Sequence, residues 1–99
     1  MKLPRDLFLG FVKLHILHHA GQDPVYGLWL IEELSEHGYR LSPGTLYPIL
    51  HGLEEEKLLA SETRVVEGKS RKYYRLTKAG RAALEEGKNK ALELLEEIK

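Results

Sequence analysis

The chain contains no cysteine. That excludes a disulfide framework, a thiol nucleophile and any zinc site built on thiolates, and it fits a reducing compartment. There is also no apolar run of membrane length. The stretch from Leu7 to Leu17 is interrupted by Lys13 and His15, leads into no small-residue cleavage site and is too short to span a bilayer. The expectation is a chain without a targeting segment and with a cytoplasmic location. Internal repeats and low-complexity segments are lacking too, so 99 residues read as one domain. A core this small makes self-association a natural source of added stability. With 42% hydrophobic and 30% charged residues, the composition is that of a folded globular chain and not of a disordered one.

Net charge is absent as well, with fifteen Lys and Arg against fifteen Asp and Glu. A zero sum would argue against a polyanionic partner if the charges were mixed, but they are segregated. Between Arg64 and Arg81 seven basic residues stand against Glu67 alone, so this segment carries +6 and the remainder −6. A chain neutral in total can therefore present a strongly positive surface.

Periodicity and breakers predict four helices and one hairpin. Pro4 and Asp6 open a first helix, whose apolar residues from Leu7 to Leu17 surround most of the cylinder instead of one stripe. One side belongs to the domain core, and a second subunit is the expected cover for the other. Gly21 to Pro24 breaks the chain. A second helix is expected from about Val25 to His37, with Leu30, Ile31 and Leu34 inward, Gly38 as its stop, and Gly27 early on admitting a close backbone approach. Ser42-Pro43 starts a third helix in which the serine hydroxyl caps free amides; Leu46, Ile49, Leu50 and Leu53 form its buried face, and Pro48 falls in its second turn. Thr63 to Val66 and Lys72 to Leu76 read as strands around a turn at Glu67 to Ser70, with Tyr74 and Leu76 on one face. Thr77 caps a last helix to about Glu97, in which Leu84, Ala91 and Ile98 recur every seven residues and Leu92 and Leu95 widen the stripe. The fold class is mainly α with a small β-hairpin: a winged helix-turn-helix over residues 1–76, and a dimerisation helix over 77–99 within one structural unit.

This order assigns the binding residues. Ser42, Gly44, Thr45, Tyr47 and Pro48 occupy the outward side of the third helix's first turns, where amides and hydroxyls donate to phosphate and side chains reach base edges. Lys69, Arg71 and Lys72 at the hairpin tip, with Arg64 on the incoming strand, supply phosphate contacts that are sensitive to salt and indifferent to sequence. Leu7, Phe8 and Phe11 of the first helix, with Leu84, Ala91, Leu92, Leu95 and Ile98 of the last, are the dimer-interface candidates. Ser42 and Thr45 also read as plain capping residues, and the strand arginines as protection of an exposed edge.

Other chemistry-bearing residues are weaker signals. His15, His18 and His19 stand at i, i+3 and i+4, a spacing that can hold a divalent metal. No acidic third ligand lies near in sequence, so they are read as surface or interface histidines and no metal site is assigned. His37 and His51 read as ordinary helix-end and surface residues. Trp29, the sole tryptophan, and His15 are candidate contacts for a small-molecule effector. Glu54, Glu55 and Glu56 read as surface charge. No nucleophile, base and oxyanion set can be assembled, so an enzyme is not expected, and no cofactor is implied.

The segments Tyr26-Gly27, Leu41-Ser42-Pro43-Gly44-Thr45-Leu46-Tyr47-Pro48-Ile49-Leu50, Leu53-Glu54 and Lys72-Tyr73-Tyr74-Arg75-Leu76-Thr77-Lys78-Ala79-Gly80 resemble, in this order, the PadR family of winged-helix regulators. They cover roughly residues 5 to 85. The single short last helix resembles the smaller subfamily, although it carries no tryptophan, unlike members that stack flat aromatic compounds between subunits. The resemblance implies a homodimeric repressor joined through its first and last helices, with both recognition helices in successive major grooves of a palindromic operator. It maps Ser42, Gly44, Thr45, Tyr47 and Pro48 onto the recognition helix and Lys69, Arg71 and Lys72 onto the wing. A winged helix that binds only proteins and a metal- or small-molecule-responsive regulator are the alternatives.

Overall fold

In the computed structural model, which describes residues 3–99, six elements follow in the order α1 (Arg5–Gln22), α2 (Gly27–Glu36), α3 (Pro43–Glu55), β1 (Leu59–Val66), β2 (Lys69–Leu76) and α4 (Lys78–Ile98). Val12 and Ile16 of α1, Leu30 and Leu34 of α2, Leu46 and Leu50 of α3, Leu59 of β1 and Tyr74 of β2 are fully buried in one cluster. The i, i+4 spacing in each helix turns one stripe inward, and these stripes meet around the Tyr74 ring. The fold is the expected one, mainly α with a small antiparallel hairpin and a C-terminal helix. No helix among the described residues is long and apolar enough to cross a membrane.

Helix α2 starts two residues later than its periodicity suggested. Val25 is held in an extended bridge to Tyr74, its N–H donating to the Tyr74 carbonyl at 2.9 Å and its carbonyl accepting from the Tyr74 N–H at 2.7 Å. A backbone so committed to the sheet cannot also start a helix, and β2 thereby lies between β1 and Val25. At the other end Gly38 takes φ +88°, with Gly38 N–H donating to Ser35 and Tyr39 N–H to Leu34. This is a Schellman stop, and His37 lies outside the helix as its C-cap.

The hairpin is longer than its apolar run. Residues outside the alternating core still pair from Leu59↔Leu76 to Val66↔Lys69. Glu67 and Gly68 both have positive φ, the signature of a two-residue turn whose twist matches the strands. Lys69 and Ser70, read as turn residues, are therefore the start of β2.

Helix α3 ends in a second Schellman stop, with Lys57 N–H donating to Glu54 and Leu58 N–H to Leu53. The left-handed residue here is Lys57, at φ 64°, where glycine would carry no Cβ penalty. Lys57→Gly is expected to stabilise the fold by about 0.5–1 kcal/mol, the relief of left-handed strain exceeding the added chain entropy. A thermal melt reads this as a rise of a few degrees; a fall would show the Lys57 side chain to be worth more than its backbone strain.

Candidate nucleic-acid interface

Helix α3 exposes one face along its first turns. Ser42, Gly44, Tyr47 and Pro48 are exposed and Thr45 is half-buried, while Leu46 and Leu50 point into the core. The serine hydroxyl does not cap the helix as expected. It donates instead to the Thr45 hydroxyl at 3.3 Å, and the Ser42 carbonyl accepts from the Thr45 and Leu46 amides. The first amides of α3 thus carry no side-chain cap.

Gly27 has a different purpose from the one expected. Its close neighbour is a side chain and not a backbone: an added Cβ would lie 2.6 Å from the Tyr47 Cζ. The absence of a side chain on α2 lets the Tyr47 ring lie across that helix, which fixes the direction in which Tyr47 leaves α3.

The wing completes the surface. Tyr26, Gly27, Leu28 and Tyr47 on the helical side and Lys69, Ser70, Arg71 and Lys72 on the hairpin line one cavity of about 310 Å³. Four residues picked separately from the sequence, Tyr47, Lys69, Arg71 and Lys72, therefore share one groove. The register puts Arg64 opposite Arg71 and Val66 opposite Lys69 on the same face of the hairpin. Like charges directly opposite one another repel, and an anion lying across them would relieve that repulsion. The Arg71 guanidinium lies 4.5 Å from the centroid of the Tyr26 ring and that of Arg64 lies 4.7 Å from Tyr73. The two tyrosines meet edge-on at 5.3 Å. Cation–π contacts of this kind narrow the range of two otherwise mobile side chains.

Two of the cations have internal partners. Arg64 donates to Glu62 at 2.6 Å, an exposed pair of little energetic weight. Lys72 lies 3.6 Å from Glu54, which also accepts from the Ser61 hydroxyl at 2.6 Å. The Ser61 hydrogen bond, with Lys72 adding to it, holds the Glu54 carboxyl below the usual carboxylate range against a smaller opposing effect of burial. Glu54 is thus a strut between α3 and the wing, not the plain surface charge that its place in a run of glutamates suggested. Tyr26, Leu28 and Tyr73 were given no role in the sequence, and Glu54 only that of surface charge, because no local pattern distinguishes them. Only Tyr26, beside a glycine at the head of a helix, carried a usable hint.

Helix α4 and the free side of α1 carry the other predicted set. Leu7 and Phe11 are 56% and 46% exposed; Leu92, Leu95 and Ile98 are 54%, 53% and 67% exposed, and Ala91 is exposed. Leu94, absent from the heptad reading, is exposed too. Phe8 and Leu84 pack partly against their own core, Phe8 edge-on to Tyr39 at 5.5 Å. A cavity of about 480 Å³ between α1 and α4 is lined by Phe11, Leu14, His15 and His18 on one side and Arg81, Leu84, Glu85 and Lys88 on the other. Trp29 lines a separate cavity of about 260 Å³ with His19, Pro24 and Tyr26. The two effector candidates, Trp29 and His15, therefore do not share a pocket.

His37 is not the ordinary helix-end residue it was read as. The ligand atoms of His15, His19 and His37 all lie within 4.8 Å of one another. Glu33 approaches His37 Nε2 at 3.0 Å and His19 Nε2 at 3.7 Å. Burial pushes the His15 imidazole below its ordinary range, and His37, His19 and His18 add to that against the opposing pull of Glu33. Burial pushes His19 down as well, here opposed first by Glu33.

Comparison with known proteins bears on this architecture directly. The sequence profile of the transcriptional regulator PadR-like family matches residues 16–86, from the middle of α1 to the first turns of α4. The chain belongs to the PadR-like family of transcriptional regulators. It is similar to the transcriptional regulator Rv3488 of Mycobacterium tuberculosis, 60% identical over 94 residues that make up 95% of this chain and 88% of that protein. Among solved structures, the PadR family regulator from Eggerthella lenta is 34% identical with a TM-score of 0.83, covering 94% of this chain and 82% of its own. The PadR-like regulator from Bacillus cereus is 32% identical with a TM-score of 0.85, covering 94% and 92%. This PadR-like chain is accordingly a winged-helix DNA-binding regulator and not an enzyme, and the groove between α3 and the wing is its candidate DNA-facing surface.

Proposed function

We propose that this regulator represses transcription as a cytoplasmic homodimer that occupies a palindromic operator. The observation that carries the reading is the shared groove, in which Tyr47 of α3 and the wing residues Lys69 and Arg71 face the same space. Helix α3 enters the major groove with Ser42, Gly44, Thr45, Tyr47 and Pro48 toward the bases and nearest phosphates. The hairpin lies along the neighbouring backbone. Lys69 and Arg71 carry the phosphate contacts, whereas Arg64 and Lys72 act partly through Glu62 and Glu54. The exposed apolar stripe of α4, with Leu7 and Phe11 of α1, supports a second copy of the chain as the cover. Residues 77–99 then serve as the dimerisation helix, and a small molecule between α1 and α4 would change the spacing of the two recognition helices.

The test begins with selection of bound duplexes from a random pool, which reports the site and its symmetry. Lys69→Ala and Arg71→Ala are each expected to weaken selected and random DNA by the same factor and to lower the slope of log affinity against log salt by about one. Tyr47→Ala is expected to reduce the preference for the selected site by about tenfold while leaving affinity for random DNA nearly intact. A salt slope unchanged in both wing variants would overturn the assignment of the wing.

A further inference from the structure

We propose that His15, His19 and His37, together with Glu33, form a binding site for one divalent transition-metal ion of the zinc type. The site is built from two i, i+4 pairs on different elements. His15 and His19 project from one face of α1, one turn apart. Glu33 on α2 and His37, the residue that ends it, stand at the same spacing on the facing helix. The imidazole centroids are 4.9 Å apart for His15–His37 and 6.1 Å for both His15–His19 and His19–His37. All three ligand nitrogens already fall within 4.8 Å of one another.

The chemistry of the donor set points to a particular class of ion. Three neutral nitrogens and one carboxylate oxygen suit zinc, nickel or cobalt; magnesium and calcium prefer all-oxygen shells, and copper(I) prefers thiolates. Nitrogen and oxygen ligands at about 2.0–2.2 Å in a tetrahedron lie roughly 3.4 Å apart, so closing the site takes movements of about 1 Å in side chains that are only partly buried. His19 Nε2 is buried with no hydrogen-bond partner and sits 3.7 Å from Glu33, an atom oriented toward the cluster that a metal would satisfy. The Tyr39 ring packs 5.0 Å from that of His15 and the Trp29 ring 5.5 Å from that of His19.

The test uses the metal-free 99-residue chain, titrated with zinc chloride by calorimetry and followed by the histidine ring resonances in NMR. One zinc per chain is expected at micromolar protein, with the His15, His19 and His37 signals shifting and the thermal midpoint rising; magnesium chloride should do neither. His37 is an exposed C-cap residue, so His37→Ala should fold normally and lower zinc affinity by at least about 100-fold, since loss of even an outer-shell partner costs about 10–100-fold. Glu33→Gln should weaken binding by about tenfold. His18→Ala, one residue from His19 and directed to the α1–α4 cavity, should leave affinity unchanged. Absence of binding heat overturns the proposal. So does a His37→Ala variant that binds as tightly as the parent, or a loss of binding in His18→Ala.

Discussion

Gly80→Ala is expected to cost about 3 kcal/mol and to lower the melting temperature by roughly 12–24 °C. The reason is a crossing of backbones. An added Cβ at Gly80 would overlap the carbonyl oxygen of Leu58 and lie 3.0 Å from its carbonyl carbon. Neither atom can move aside, because the same loop is held from the other direction. The Thr77 N–H donates to the Leu58 carbonyl at 3.1 Å, and the Thr77 hydroxyl donates to the Lys57 carbonyl at 2.6 Å while accepting from the Gly80 N–H at 2.9 Å. The end of α3, the start of β1 and the first turn of α4 are thereby one joint. For a domain whose whole stability is of order 5–15 kcal/mol, that loss is roughly a fifth to three fifths of the total. Gly52→Ala provides the contrast. Nothing lies within 4 Å of its would-be Cβ, so the ordinary helix preference for alanine should raise stability by about 1 kcal/mol. Circular dichroism melts of the two variants test the pair, and a Gly80→Ala protein that melts with the parent would show the joint to be loose.

The second large effect concerns assembly. If the chain pairs through α4 as proposed, Leu92→Lys combined with Leu95→Lys is expected to give a monomer and to reduce affinity for the selected operator by more than about 100-fold. Each half-site alone must then be bound without the high effective concentration that a linked second subunit supplies. Both leucines are more than half exposed in the single chain and neither belongs to its core, so the variant should fold. Sedimentation separates the outcomes: a dimer of unchanged mass would remove α4 from the interface. Binding to random DNA at low salt, assigned above to the wing cations, should fall much less.

Much of the fold was readable along the chain because its signals act over a few residues. Pro43 at a helix start, Gly38 at a stop and Thr77 as an N-cap each govern their own turn, and the structure has them in those roles. The spacing of Leu46, Leu50 and Leu53 identified the buried face of α3 and, by subtraction, the outward set around Tyr47. The start of β1 was missed because Leu59 to Glu62 do not alternate in polarity. The start of α2 was missed because Val25 answers to a hydrogen-bond partner 49 residues away.

The amino-acid order by itself determined the element types, the inward faces and the gathering of cations on one hairpin, since helix periods, caps and turn residues work locally and charge can be counted. Tertiary structure decided which of those cations remain free, because Glu54 meets Lys72 only once the wing folds back on α3. It decided that Gly27 serves Tyr47, and that His37 joins His15 and His19. Contacts of that kind depend on how helices pack against one another, and no pattern within a single helix specifies which residue of the next will face it.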